Sequence, residues 1–338
     1  MLKIRELAIE CGFELAGVAA AAPSPDGARY RDWIAAGMHG AMGYLAGRRA
    51  DVRMDPQLVL PGARSIICLG KLYNTPEPYS RDFDTGDRGW ISRYAWGGDY
   101  HDVLRRDMER LVARLPAGHE YKICVDTAPL LERSYAYRAG LGWIGKNTCL
   151  INQPLGSWFF LGEIVTTLEL EPDAPPPDRC GTCTRCIDAC PTKAISAGGY
   201  QLDARLCISY FTIELRGAVP EEHRAGIGRH VFGCDICQDV CPWNRRAPVT
   251  DEAAFAPRQL APPLAKLASI TEEEFRAMFQ GTPVSRARYA GFLRNVAIAM
   301  GNSDRLEFRE PLQMLAEYPH ELVREHARWA LDRLTASA

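Results

Sequence analysis

Between Asp99 and Leu115, apolar residues recur at Val103, Leu104, Met108, Leu111, Val112 and Leu115. That spacing gathers them on one face of a helix. The first twenty residues also suggest an amphipathic helix. Two apolar runs, Ser65–Leu69 and Tyr121–Val125, predict buried strands, and a strand-rich stretch runs from Trp158 to Leu170. Glu171-Pro-Asp-Ala-Pro-Pro-Pro177 cannot continue either kind of element and marks a boundary. A second Pro/Ala-rich segment, Ala247 to Ala265, leads into an all-helical tail. The pattern divides the chain into residues 1–170, 171–250 and 251–338.

The middle segment carries the most specific chemistry. Cys180-Gly-Thr-Cys183-Thr-Arg-Cys186-Ile-Asp-Ala-Cys190-Pro191 has the C-x2-C-x2-C-x3-C-P spacing of a bacterial ferredoxin. A partial copy follows, Cys234-Asp-Ile-Cys237-Gln-Asp-Val-Cys241-Pro242, with Val231 where its first cysteine would stand and Cys207 upstream as the substitute. Eight thiolates are what two [4Fe-4S] clusters need. In two-cluster ferredoxins the fourth cysteine of each motif ligates the other cluster. The expected sets are therefore Cys180, Cys183, Cys186 and Cys241 for one cluster, and Cys190, Cys207, Cys234 and Cys237 for the other. A pair of zinc sites also uses C-x2-C, but the C-x3-C-P endings and the crossed pattern are specific to ferredoxins. Cys11, Cys68, Cys124 and Cys149 fall in apolar surroundings and read as buried small hydrophobes.

Composition narrows the rest. The 338 residues carry a formal net charge of -2, so any nucleic-acid surface must be local. The N-terminal stretch contains Lys3, Arg5, Glu6 and Glu10 and lacks the apolar core of a signal peptide. No apolar run approaches the roughly 20 residues of a membrane span. Twelve cysteines without a secretion signal read as metal ligands. The expectation is a soluble, cytoplasmic protein, monomeric and without membrane contact, that takes single electrons from an external donor. No G-x-G-x-x-G follows a strand, so the N-terminal region should hold another redox group.

Four further segments carry a resemblance. Arg93-Tyr-Ala-Trp-Gly-Gly-Asp-Tyr-His101, Val125-Asp-Thr-Ala-Pro129 with Glu132-Arg-Ser, Ala139-Gly-Leu-Gly-Trp-Ile-Gly-Lys-Asn-Thr148, and Cys207-Ile-Ser-Tyr-Phe-Thr-Ile-Glu214 resemble the epoxyqueuosine reductase family. These are cobalamin-dependent enzymes of the last step of queuosine synthesis in tRNA. The resemblance runs over essentially the whole chain. It implies an α+β fold: a nitroreductase-like cobalamin domain, a ferredoxin-like two-cluster module and a HEAT-like helical domain that binds tRNA. Pro311–Leu315 with Val323–Leu334 matches one HEAT-type hairpin, and Phe292–Gly301 the closing helix of an earlier one. Two partial repeats need docking to complete their burial. The cobalamin is implied to bind base-off beside a cluster, although the D-x-H-x-x-G signature is absent and Asp99-Tyr-His101-Asp-Val-Leu104 ends in Leu. The implied partner is tRNA with a GUN anticodon, held by its anticodon stem-loop.

Read from the residues, Asp126 is either a helix N-cap or an acid at the end of a strand. The resemblance implies the family's proton donor. Reducing an epoxide away takes two electrons and two protons, and a carboxyl must be protonated to donate. From about 3.9, that requires a shift of about three units at neutral pH, roughly 4 kcal/mol, which burial beside an apolar corrin face is expected to supply. Lys146, Asn147 and Thr148, in a Gly-rich turn, offer donors to a corrin or its nucleotide tail. Arg53 and Ser92 are implied cofactor neighbours. Ser209, Asp239 and Val240 stand where a cluster would meet the corrin. From Phe275 to Ser303 there is no acidic residue, while Arg276, Arg286, Arg288 and Arg294 occur with Tyr289 and Asn295. With Arg216, the residues Arg286, Arg288, Arg294 and Asn295 form an expected tRNA surface; a solvated basic face is the plainer alternative. Rival functions are a reductive dehalogenase, a ferredoxin-type electron carrier and a HEAT-type adaptor with structural clusters.

Overall fold

The structure is a computed structural model that describes residues 3–336 apart from 84. Eight strands occur among the described residues: β1 (Leu15–Ala20), β2 (Ser65–Leu72), β3 (Trp90–Ile91), β4 (Tyr121–Cys124), β5 (Trp143–Ile144), β6 (Leu150–Ile151), β7 (Phe159–Thr166) and β8 (His230–Phe232). Four of them form an antiparallel sheet in the order β1-β2-β7-β4. Side chains of a strand alternate between faces, and both faces here are covered. Ile67, Leu69, Phe160 and Ile164 pack against Val103, Leu104, Met108 and Leu111 of the helix Tyr100–Val112. Ile66, Cys68, Leu72 and Val165 pack the other way, against Tyr135 and Ala136 of the helix Glu132–Arg138. Every residue of β2 is therefore buried.

Local sequence explains where these elements begin and end. Asp99 caps the helix Tyr100–Val112 by accepting the His101 N–H at 3.0 Å. The helix expected over the first twenty residues stops at Glu10. Gly12 follows at φ +95°, a left-handed conformation that breaks the helix. Leu15–Ala20 instead pairs with β2, and at Gly17 an added Cβ would lie 2.0 Å from the Ala139 carbonyl, so only glycine permits this close packing. The strand expected to be buried at Tyr121–Val125 is an edge strand whose burial is complete only at its end, Cys124 and the following Val125.

The tail forms five helices, Leu264–Ser269, Glu272–Phe279, Tyr289–Gly301, Arg309–Ala316 and Glu321–Ala336. Their shared core, with Phe275, Phe292, Val296, Leu312 and Val323, also takes in Trp90, Ile91, Ala95 and Trp96 from the N-terminal half. The tail is thus docked, and β3 pairs in parallel with β8 beside it. Among the described residues no helix is long and apolar enough to cross a membrane.

The central tail helix, Tyr289–Gly301, corrects part of the expected tRNA surface. It is buried all round from Gly291 to Gly301, as a helix in the middle of a helical layer must be. Arg294 is 1% exposed and Asn295 0%, so neither reaches a phosphate. Arg294 donates to the carbonyls of Leu215 (2.9 Å), Gly217 (2.7 Å) and Phe211, and to Asn295 Oδ1. Asn295 donates to the carbonyls of Thr212 and Val231, each at 2.9 Å. The two side chains pin the segment that follows Cys207 to the tail. Leaving a buried carbonyl unpaired costs about 1–3 kcal/mol. Arg294→Met, which keeps the bulk and removes the donors, is therefore expected to lower unfolding free energy by roughly 3 kcal/mol or more in chemical denaturation. A loss of only a few tenths would return Arg294 to the surface.

Candidate active site

A cleft of about 660 Å³ is lined from residues 26–53, 126–148 and 200–202 and by Arg286 of the tail, with Asp126, Glu132, Arg53, Thr148 and Tyr44 among its lining residues. Asp126 sits at its floor, in the loop between β4 and the helix Glu132–Arg138. That helix starts at Glu132 without a side-chain cap, so Asp126 is not an N-cap. Its φ is +43°, unusual for a residue other than glycine. The strained turn is held from both sides. The Asp126 N–H donates to Glu132 Oε1 at 2.6 Å, and Tyr100 OH donates to Asp126 Oδ2 at 3.0 Å. His101 lies between two carboxylates: its Nδ1 is 2.7 Å from Asp99 Oδ1 and its Nε2 3.5 Å from Asp126 Oδ2. Tyr100 stacks between His101 (4.2 Å) and Phe160 (4.3 Å), which fixes both donors.

This arrangement decides where protons sit. Burial pushes the Asp126 carboxyl upward, but the His101 imidazole 3.5 Å away and the hydrogen bond from Tyr100 outweigh it and hold Asp126 below the ordinary carboxylate range. In the protein alone the shift thus runs opposite to the one expected from burial beside a corrin face. The same contacts, Asp126 first and Asp99 second, push His101 up to about 9. At neutral pH the mobile proton of the pair rests on the imidazole. Glu132, desolvated and next to the Asp126 charge, is pushed up to about 8. Beneath it in β7, Glu163 is 0% exposed with no hydrogen-bond partner for either oxygen, and burial raises it well above the usual range.

The cysteines gather in two groups. Cys180, Cys183, Cys186 and Cys241 line one cavity of about 230 Å³. Cys190 instead lies within electrostatic reach of Cys207 and Cys234, and Cys237 of Cys207 and Cys234. The fold thus brings together the two sets that the crossed pattern predicts. Cys149 departs from its expected role as a buried hydrophobe: it is only half-buried, and its thiol contacts Cys237.

Other expected site residues scatter around this centre. Arg53 ends the helix Arg48–Met54, donates weakly to the Leu130 carbonyl (3.4 Å) and leaves its buried Nε without a partner. Thr148 lines the cleft at φ +65°, its carbonyl fixed by Arg133. Lys146 and Asn147 turn away. Lys146 Nζ donates to the carbonyls of Gly181 (2.7 Å) and Cys183 (3.1 Å), and Asn147 Nδ2 to that of Cys237 (3.3 Å), so both brace the cysteine loops. Ser92 is buried, with its hydroxyl on Asp235 at 2.5 Å. Ser209 sits beside Cys207, Asp239 accepts from Ser80, and Val240 is half-buried. At the mouth, Arg286 forms a two-point ion pair with Glu214 (2.7 and 3.1 Å) and lies over Tyr44. Arg216 and Arg288 are exposed there.

Comparison with known proteins adds the decisive observation. Residues 53–127 match the family model "Epoxyqueuosine reductase QueG, DUF1730", and residues 179–244 match "4Fe-4S double cluster binding domain". The chain is 44% identical to the epoxyqueuosine reductase of Xanthomonas campestris over 97% of its own length and 94% of the relative's. The chain belongs to the epoxyqueuosine reductase family. It is accordingly an oxidoreductase. A crystal structure of an epoxyqueuosine reductase with an epoxyqueuosine-modified tRNA-Tyr stem loop superposes with a TM-score of 0.88 at 31% identity, covering 98% of this chain and 89% of that one. The Bacillus subtilis enzyme, with a catalytic aspartate loop swung out of the active site, superposes at 0.87 and 30%, covering 98% and 89%.

Sequence reasoning did not single out His101, Glu132 and Glu163, which the fold gathers around Asp126. His101 and Glu132 stood inside quoted motifs, but nothing in their spacing says that both meet Asp126. The crossed cysteine sets yield a direct prediction. Cys190→Ser should damage the cluster held by Cys234 and Cys237 and spare the Cys180 cluster, as read by iron content and EPR. Loss of the Cys180 cluster alone would contradict the crossed arrangement.

Proposed function

We propose that this chain reduces epoxyqueuosine to queuosine at the wobble position of tRNA, with the Asp126–His101 pair delivering a proton to the epoxide oxygen. The observation that carries this reading is the pair itself. A carboxylate is held in a strained turn at the floor of a cleft, facing an imidazole that stays protonated at neutral pH. Asp126 is the group at the cleft floor, and His101 restores its proton. Two C–O bonds must break, a C=C bond forms, and the oxygen leaves as water with two electrons and two protons.

The electrons enter from an external donor through two [4Fe-4S] clusters, in a ferredoxin-like module over residues 171–250. Residues 1–170 act as a nitroreductase-like domain for base-off cobalamin, which when bound supplies the reduced cobalt centre. The unpartnered Nε of Arg53, on the cleft wall, supports a polar ligand there. Arg53, Asp126 and Thr148 would hold the cofactor from the sheet side, while Ser209, Asp239 and Val240 lie toward the cluster. Asp239 is pushed up to about 7, by burial first and by Asp235 second.

Residues 251–338 form a HEAT-like domain for a tRNA with a GUN anticodon. Arg216, Arg286 and Arg288 at the mouth are its phosphate contacts; a relative solved with an epoxyqueuosine-modified tRNA stem loop supports tRNA as the substrate. Glu214 neutralises part of Arg286 in the free protein. A phosphate could take over that pairing. The enzyme works in the cytoplasm as a monomer.

Asp126→Asn tests the reading. Asn keeps the size and accepts from Tyr100, but it cannot pass a proton. General acids contribute about 10²–10⁴-fold, so single-turnover reduction by pre-reduced Asp126→Asn should slow by about that factor, with clusters and tRNA affinity retained. A near-wild-type rate would remove Asp126 from the chemistry.

A further inference from the structure

The reaction consumes two protons, and the Asp126–His101 pair holds one. The next titratable group in line is Glu132, whose Oε1 accepts the Asp126 N–H at 2.6 Å and which lines the same cleft. Behind it, Glu163 stands in the middle of β7, in register with Cys68 on β2 and Cys124 on β4. Both of these neighbours are thiols pushed upward by burial, so they offer Glu163 no counter-charge. A fully buried carboxylate with no donor costs several kcal/mol, and Glu163 is accordingly neutral.

Around Glu132, the facing groups are Asp126 from the loop, Arg53 from the helix Arg48–Met54, Arg133 on its own helix, Tyr100 from the helix Tyr100–Val112, and Glu163 from the sheet. Burial and the Asp126 charge outweigh the two arginines, which keeps Glu132 protonated at neutral pH. A half-buried neutral acid on a cleft wall, with a second, fully buried neutral acid behind it, has no structural task that glutamine would not perform as well.

We propose that Glu132 is the second proton source of the reaction, fixing the Asp126 turn through its Oε1 and, backed by Glu163, handing its own proton into the cleft once the Asp126–His101 pair has given up the first. The proposal rests on the reading of Asp126 as the acid. In each turnover two electrons from a one-electron protein donor and two protons convert the epoxide to an alkene and water. Asp126 ends as a carboxylate beside neutral His101. Glu132 ends as a carboxylate facing Arg53 and Arg133, and it recovers its proton from solvent when the product leaves.

The test compares Glu132→Gln, Glu132→Asp and Asp126→Asn in single turnovers of pre-reduced holoenzyme on an epoxyqueuosine-modified stem loop across pH. Glu132→Gln keeps the length and the oxygen that accepts the Asp126 N–H. It should lose about a hundredfold in rate, with KM and iron content unchanged. Wild-type rate should fall as pH rises through about 8, where Glu132 loses its proton. In Glu132→Gln that limb should vanish, leaving the one set by His101 near 9. Glu132→Asp, shorter but still acidic, should outperform Glu132→Gln. A Glu132→Gln enzyme with wild-type rate and pH profile, or one faster than Glu132→Asp, overturns the proposal and leaves Glu132 as a backbone clamp. In either case a slow Asp126→Asn keeps the Asp126 reading, whereas a fast one removes that reading itself.

Discussion

Everything in this site depends on one backbone turn, the left-handed Asp126, and on the Glu132 carboxyl that clamps its N–H. A non-glycine residue in this region costs of order 1–3 kcal/mol. The turn persists because helix, sheet and stacked aromatics hold it from separate directions. It aims the Asp126 carboxylate at His101 and Tyr100, and those contacts together outweigh the burial that opposes them and hold Asp126 low. Rigid elements supply the geometry: the Asp99 cap positions His101, and Phe160 of β7 backs Tyr100.

The same logic links the three regions of the chain. Tail helix Tyr289–Gly301 reaches across with Arg294 and Asn295 to fasten the segment after Cys207. Lys146 and Asn147 reach from the Gly-rich turn into the loops that carry Cys183 and Cys237. The cysteine loops, the Gly-rich turn and the tail are thereby tied to one another by buried and half-buried hydrogen bonds.

Much of this was legible in the sequence where spacing encodes geometry directly. The cysteine motifs specify two crossed sets because ferredoxin spacing is tied to cluster shape, and the apolar stripe of 99–115 names its helix. What failed had no local signature. Arg294 lies in an acid-free basic stretch and looked like a surface residue, yet its helix is the middle of a layer. Leu15–Ala20 read as helix because pairing with β2 is a long-range fact. The protonation of Asp126 was expected from burial beside a corrin face, and sequence distance hides the histidine twenty-five residues upstream that pulls the other way. Glu163 reads as an ordinary strand residue until its register with Cys68 and Cys124 shows that no donor is near.

The central claim is that the transferable proton rests on His101 because Asp126 and Asp99 hold it there. Nitrogen NMR of histidine-labelled, anaerobically prepared protein, titrated with pH, tests it without reference to turnover. The His101 imidazole should titrate near 9 in the wild-type protein and fall toward the ordinary value of about 6.5 in Asp126→Asn. An imidazole that already titrates at the ordinary value in the wild-type protein would contradict the account.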